Sequence, residues 1–294
     1  MHKAVLLQEV ISYLQIRSEG FYIDATFGGG SVSREILSRL SNKGRLIAID
    51  TDREAVKRAD DLAKLHPNLL VAHSNFSELD KILDSMKINS VDGIVADLGL
   101  SSYQLDDVSR GFIVVSDSKM DMRYDMNSNT PKASDILRNY SEKELVALFQ
   151  KYSEQPFERR IAAEIKRSKP ISTPRELHAL VERTIPSSQR YKTKKITINL
   201  LRGLRMEVNN ELDTLKTFID QAVSRLDPGG RLVVISFQSV EDRVVKNAFR
   251  EHKHQDNLQI ITKKPITPSD EEITVNPRSR SAKLRAAEKP KVIS

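Results

Sequence analysis

Three apolar runs in the first hundred or so residues end in an aspartate: "FYID" at Asp24, "RLIAID" at Asp50 and "VDGIVAD" at Asp97. A carboxylate in that position can accept the hydroxyls of a ribose, pair with an ammonium, or take a proton from a substrate amine. Directly after Asp24 the chain reads "ATFGGGSVS", with Gly28, Gly29 and Gly30 in a row. Glycines between a strand and a helix let a ligand come close to the backbone. Asp50 follows Gly30 by 20 residues, the distance at which an acid on the next strand reaches a ribose.

A dinucleotide satisfies this much. Asp24 argues against it, because a pyrophosphate at the helix start would face that carboxylate and be repelled. Ser33 also stands where the dinucleotide pattern has its third glycine. A ligand with a ribose, a primary ammonium and no phosphate suits both acids, and S-adenosylmethionine is such a ligand. Asp97, in "VADLGLSSYQLDD", adds an acid that either binds the cofactor's ammonium or accepts a proton from a substrate amine.

These residues need a sheet to bring them together. "GFYIDAT", "GRLIAID", "LLVAHSN" and "VDGIVADLG" read as buried strands, and "SVSREILSRL", "DREAVKRADDLAKL" and "FSELDKILDSM" as the helices between them. Such alternation predicts a parallel sheet covered by helices, with ligands beyond the carboxyl ends of the strands. Residues 107–196 break the rhythm. Helical patterns occur in "SEKELVALFQKY", "PFERRIAAEIKRS" and "TPRELHALVERTI", and no good buried strand is present. Apolar residues at steps of three and four from Ile198 to Leu226 predict one long helix of roughly 40 Å. After "DPGG" the chain returns to a buried strand, "RLVVISF", then to a helix, "SVEDRVVKNAFREH", then to "LQIITKKPI" and a basic tail.

Composition narrows the partners. The chain has 294 residues, no cysteine and a net charge of +7, so thiolate chemistry is excluded and a sizeable core is affordable. Residues 155–205 carry 13 Lys/Arg against 4 Asp/Glu, and residues 274–294 carry 6 against 1, leaving the remainder at −7. Two basic segments on an acidic body point to a polyanion held at one place. The six histidines lack metal-binding spacing, and His252 and His254 in "REHKHQD" read as a solvated helix end. No apolar stretch is long enough to span a bilayer, and "MHKAVLLQEVISYLQ" reads as an amphipathic element and not a signal peptide. These features suit a cytoplasmic protein without membrane or metal.

Taken in order, "YIDATFGGG", "AIDTD", "DLGLSSYQLDD", "RGF", "MDMRYD", "LRMEVNNEL", "PGGRLVVISFQSVEDRVVK" and "NPRSRSAKLR" give the chain its resemblance, over nearly its full length, to the bacterial small-subunit ribosomal RNA (cytosine-N4)-methyltransferases of the MraW/RsmH type. The resemblance implies a Rossmann-like class I S-adenosylmethionine-dependent methyltransferase sheet over residues 1–106 and 206–294. It implies an inserted helical substrate-recognition domain over 107–205. The implied reaction is methyl transfer to the N4 amine of a cytidine in the decoding region of 16S ribosomal RNA, free or in the small subunit, with a homodimer allowed for. Matched to the family pattern, the cofactor contacts fall on Gly30, Ser31, Val32, Asp50, Phe76, Asp97 and Gln104. Asp97 is the candidate catalytic acceptor, with the Leu98 carbonyl beside it, and Tyr103 a candidate to stack on an extruded base. The candidate phosphate contacts are Arg190, Lys192, Lys194 and Lys195 in the insertion and Arg278, Arg280, Lys283 and Arg285 in the tail.

The chain departs from the family pattern in three places. Gly30-Ser31-Val32 replaces Gly-Gly-His, Gln238 replaces the histidine of Ser-Phe-His-Ser, and Leu201-Arg202-Gly203 replaces Phe-Gln-Ala. Val32 removes a side-chain hydrogen bond and Gln238 a titratable group. A non-catalytic RNA-binding assembly factor that keeps the pocket is therefore the alternative, and a nicotinamide oxidoreductase a more distant one.

Overall fold

The computed structural model describes residues 4–152 and 156–291, so the first three residues of the expected N-terminal amphipathic element lie outside them. The chain divides into two compact units, one of residues 1–102 and 212–294, the other of residues 103–211. The second unit is a few residues wider at each end than the expected insertion.

The first unit begins with helix α1 (Leu7–Leu14) and then alternates: β1 (Phe21–Asp24), α2 (Ser31–Leu37), β2 (Arg45–Asp50), α3 (Arg53–Ala63), β3 (Leu69–His73), α4 (Leu79–Ser85) and β4 (Val91–Asp97). A short helix, α5 (Ser102–Asp106), opens the second unit, which continues through α6 (Ala133–Asn139), α7 (Glu142–Tyr152), α8 (Glu158–Arg167), α9 (Pro174–Thr184) and α10 (Thr193–Val208). Then come α11 (Glu211–Arg225), β5 (Leu226–Ser236), α12 (Ser239–His254), β6 (Gln259–Ile260), α13 (Asp270–Val275) and β7 (Lys283–Glu288).

The seven strands form one sheet in the order β3-β2-β1-β4-β5-β7-β6. β1 through β5 run parallel, and β7 lies antiparallel between β5 and β6. Alternate side chains point to opposite faces, and both faces are covered. Ile23, Ile47, Ile49 and Ile94 pack with Leu79 and Leu83 of α4, Phe218 and Ile219 of α11 and Phe249 of α12. Tyr22, Leu46, Ala48 and Val95 pack with Val10 of α1, Ile36 of α2 and Ala59 of α3. Burial on both faces explains why these strands read as unbroken apolar runs.

The basic tail is a correction to the sequence reading. Residues 283–288, read only as part of a basic tail, form strand β7, paired along its length with β5. A strand of small apolar residues, Ala286 and Ala287, fits between two neighbours, while its charged residues carry no periodic signal that a sequence reading can use. His252 is a second correction. The end of α12 is exposed at His254 as expected, but the His252 side chain is mostly buried, its Nε2 2.8 Å from Asp220 Oδ1.

In the second unit α7, α8, α9 and α10 pack on one another, and the described residues include no strand. α9 shows why the helices start where they do. Thr173 Oγ1 accepts the Glu176 N–H at 3.2 Å, Glu176 Oε2 accepts the Thr173 N–H at 3.0 Å, and Pro174 begins the helix.

The single long helix expected after residue 198 is two helices. α10 stops at Val208, α11 starts at Glu211, and Asn210 between them has φ of 47°. Asn209 makes the break. Its Nδ2 donates to the carbonyls of Met122 and Arg205, both at 2.8 Å, and its Oδ1 accepts the Tyr124 N–H at 2.8 Å. Glu211 takes the Arg205 guanidinium in a two-pronged bond, each prong 2.8 Å. Apolar periodicity continues across the break, so only the Asn-Asn pair signalled it, asparagine being the side chain that best tolerates a left-handed backbone. Asn209→Ala leaves a donor and two carbonyls without this partner and is expected to cost about 2 kcal/mol. Urea unfolding measures it.

Candidate active site

The parallel order places the carboxyl ends of β1, β2 and β4 side by side, with the order reversing between β1 and β4. Such a reversal opens a crevice for a ligand. Asp24, Asp50 and Asp97 are the last residues of those three strands.

Asp24 is buried. Its Oδ2 accepts the Ser33 hydroxyl at 2.6 Å and its Oδ1 the Thr26 N–H at 3.2 Å. Burial pushes its carboxyl up to about 6 against the pull of those hydrogen bonds. Ser33, read as the missing third glycine, is thus the fixed partner of the first acid. Asp50 accepts the Gly28 N–H and the Asp52 N–H, each at 2.8 Å. Burial lifts it to about 6, these two bonds oppose the rise, and the Asp52 and Asp24 charges add to it. A carboxylate has about four lone-pair positions, so Asp50 keeps acceptor capacity beyond the two backbone bonds.

Asp97 differs from both. Its backbone N–H is held by Thr26 Oγ1 at 2.6 Å, but its Oδ1 is a buried acceptor with no hydrogen-bond partner among the described residues. Burial first, then the charges of Asp24 and Glu241, push its carboxyl up to about 7. Glu241, in the first turn of α12, is itself buried and accepts the N–H groups of Phe237 and Gln238, each at 2.9 Å. Gln238 therefore contributes its backbone to the start of α12. Sequence reasoning missed Thr26 and Glu241. The sheet register that puts Thr26 beside Asp97 has no local signature, whereas an acid three residues after a helix cap was a usable signal.

The glycine loop is built for close approach. Gly30 sits at φ of +74°, and a Cβ there would stand 2.5 Å from the Phe27 ring. Arg58 donates to the Gly28 carbonyl at 3.2 and 3.3 Å, and Arg34 donates to the Gly29 carbonyl. Of the family-matched positions, Ser31 opens α2 half-exposed, whereas Val32 turns its side chain into the core and leaves only its backbone to the loop. Phe76 is partly buried and meets Phe218 edge to face, ring centres 5.0 Å apart. Gln104 is buried in α5, on the second unit, and Tyr103 beside it is half-exposed.

The basic residues separate into distinct groups. In the insertion, Arg190, Lys194 and Lys195 are exposed and Lys192 half-exposed. In the tail, Arg280 is exposed, and Arg278 donates to Ser102 Oγ at 2.7 Å. Lys283 lies 3.9 Å from Asp242. Arg285 is not a free cation for a phosphate. It is buried in β7 and grips Asp242 with two hydrogen bonds, 2.6 and 3.1 Å.

A profile of the MraW methylase family matches residues 1–290. Ribosomal RNA small subunit methyltransferase H of Clostridium botulinum (strain Loch Maree / Type A3) is 41% identical over 309 residues, 98% of each chain. The protein of the same name from Caldicellulosiruptor saccharolyticus is 42% identical over 306 residues, covering 98% of this chain and 99% of its own.

The raised carboxyls couple stability to pH. Asp97 holds its proton up to about 7 when folded, against 3.8 ordinarily. The folded state thus binds a proton that the unfolded chain releases. That contribution is full below about pH 4 and is lost as pH rises through about 7. Asp97→Asn removes the titration and keeps the shape. The variant is expected to exceed the wild type by on the order of 2 kcal/mol at about pH 8, the gap closing at about pH 4. Denaturant unfolding at the two pH values tests this.

Proposed function

Because the chain belongs to the MraW methylase family, we propose that it transfers the methyl group of S-adenosylmethionine to small-subunit ribosomal RNA, at the N4 amine of a cytidine in the decoding region. The observation that carries the reading is the orphaned acceptor: Asp97 Oδ1, buried at the end of β4 with no partner among the described residues. A buried oxygen in that state has a hydrogen-bond donor to receive. The residues present also fit the cofactor, since the bare loop Gly28–Gly30 stands between two strand-end acids and offers no phosphate site.

S-adenosylmethionine brings a methyl group on a sulfonium, a leaving group already activated. The protein must then position the acceptor and manage one proton. Asp50 would use its remaining lone pairs for the ribose hydroxyls. The backbones of Gly30, Ser31 and Val32 and the ring of Phe76 would hold the cofactor, and by its match to the family pattern Gln104 would be a further contact. The cytosine amine is a weak nucleophile because its lone pair is delocalised into the ring. Asp97 accepts an N–H from it, which favours a more pyramidal nitrogen. S-adenosylmethionine, when bound, would supply the methyl group as its C–S bond gave way to the N–C bond, and the acceptor nitrogen would then have one proton to lose. Asp97, with its carboxyl near 7, is matched to take it. Most of the rate comes from positioning. A base in a duplex hides this amine, so the target is unpaired or flipped out.

Phosphates fall to the exposed and half-exposed cations: Arg190, Lys192, Lys194 and Lys195 in the insertion, with Arg278, Arg280 and Lys283 beyond it. The homologous proteins named above act, by their names, on the RNA of the small subunit, and free RNA or the assembled subunit is the expected partner here.

Asp50→Ala is expected to weaken S-adenosylmethionine binding by roughly 1–3 kcal/mol in calorimetry. Asp97→Asn is expected to slow single-turnover methylation more than about tenfold at saturating cofactor. Mass spectrometry of small-subunit RNA reads the product, and wild-type turnover in the Asp97 variant would reduce that residue to a structural role. A binding factor that keeps the pocket would load the cofactor and leave the RNA unmethylated.

RNA affinity is expected to fall steeply with salt. Replacing Arg190, Lys192, Lys194 and Lys195 together by Gln should flatten the slope by up to about 3 units, at ~0.7 per single-strand contact. Cofactor affinity should stay within about twofold. An unchanged slope assigns the RNA path to another surface.

A further inference from the structure

Tyr191 is 77% exposed, the most exposed large apolar side chain among the described residues. It stands in a single 3-10 turn, Ser187–Lys192, that leads into α10. The turn is firmly held. The Gln189 N–H donates to the Pro186 carbonyl at 2.8 Å, and the buried Thr193 donates its hydroxyl to the Arg190 carbonyl at 2.7 Å. Below it Thr193, Ile196, Thr197 and Leu200 fix the first turns of α10 in the interior of the unit. The tyrosine is therefore an aromatic ring presented to water on a rigid mount.

Its neighbours along the chain are rich in cations and free of acids. Arg190 and Lys192 flank it, Lys194 and Lys195 follow, and the sequence has no acid between Glu182 and Glu207. The Lys192 ammonium lies 5.3 Å from the ring centre, within cation–π range. A solvated helix end needs no aromatic, and the same turn meets water elsewhere with Ser187, Ser188 and Gln189. An exposed ring among phosphate-seeking cations is the combination that binds single-stranded nucleic acid. The cations follow the backbone while the ring takes a base face, which a duplex does not offer.

We propose that Tyr191 is a base-stacking platform on which one unpaired nucleotide of the RNA lies, while Arg190, Lys192, Lys194 and Lys195 hold the adjoining phosphates. The base takes the ring face that Lys192 does not cover. The inference rests on RNA being the substrate and adds a contact to the base, beyond charge alone.

Stacking and charge differ in their response to salt. Losing a cation changes the slope of affinity against salt, whereas losing a stacked base lowers affinity equally at every salt concentration. The test is a salt titration of the full-length protein with a short single-stranded uridine oligonucleotide and with an abasic strand of equal length. Tyr191→Ala is expected to lose about tenfold in affinity for the uridine strand with its slope unchanged. It should equal the wild type on the abasic strand and bind S-adenosylmethionine normally, which reports an intact fold. Tyr191→Phe keeps the ring and should stay within about twofold of wild type. Equal affinity of Tyr191→Ala for the uridine strand overturns the platform, and so does an equal loss on both strands. Loss of self-association in sedimentation with RNA affinity intact would assign the ring to a second copy of the chain and overturn it too. Failure of the broader reading looks different: the wild type would methylate no ribosomal RNA, whatever Tyr191 does to binding.

Discussion

A partly buried carboxylate with one oxygen shut away at the end of β4 is the constraint around which the first unit is organised. Burying Asp97 near Asp24 and Glu241 works against ionisation, and a core selected for stability alone would not retain it. The surroundings make the position exact in space without supplying a partner. Thr26 fixes the backbone N–H, the parallel register with β1 and β5 fixes the strand, and Oδ1 is left open. Asp24 and Asp50, by contrast, each hold the glycine loop through hydrogen bonds with Ser33, Thr26, Gly28 and Asp52. Three aspartates of similar sequence context thus divide: Asp24 braces the loop, Asp50 braces it and keeps acceptor capacity, and Asp97 has an oxygen to which no described residue donates.

The sheet order explains why the tail is not one basic surface. By entering between β5 and β6, β7 carries Arg285 into the interior, where Asp242 of α12 neutralises it. A guanidinium with a bidentate carboxylate loses little on burial, whereas one without it would not be tolerated there. Arg278 and Arg280 stay outside, on the turn before the strand. Charge counted along the chain therefore overstates the cations available to a phosphate.

Much of this was legible in the residues. The alternation of apolar strands and amphipathic helices, the bare loop after Asp24 and the acids at Asp50 and Asp97 are local patterns, because strand burial and helix periodicity are written in neighbouring residues. The helices of the insertion carried their own caps, as Thr173 and Glu176 show. The break at Asn209 was harder. Its cause is a set of bonds to Met122 and Tyr124, 87 and 85 residues away, and the apolar stripe ran on undisturbed across it.

By itself, then, the amino-acid order determined the class of fold, the family and the acids at the strand ends, since each depends on spacing within a strand, a loop or a helix. Only the tertiary structure decided what those residues are free to do. It turned Val32 inward, set Phe76 against Phe218, removed Arg285 from the surface and left Tyr191 on it. The physical reason is that burial and pairing are properties of neighbours in space. A charge or a ring acts on a ligand only where no distant part of the chain has already claimed it.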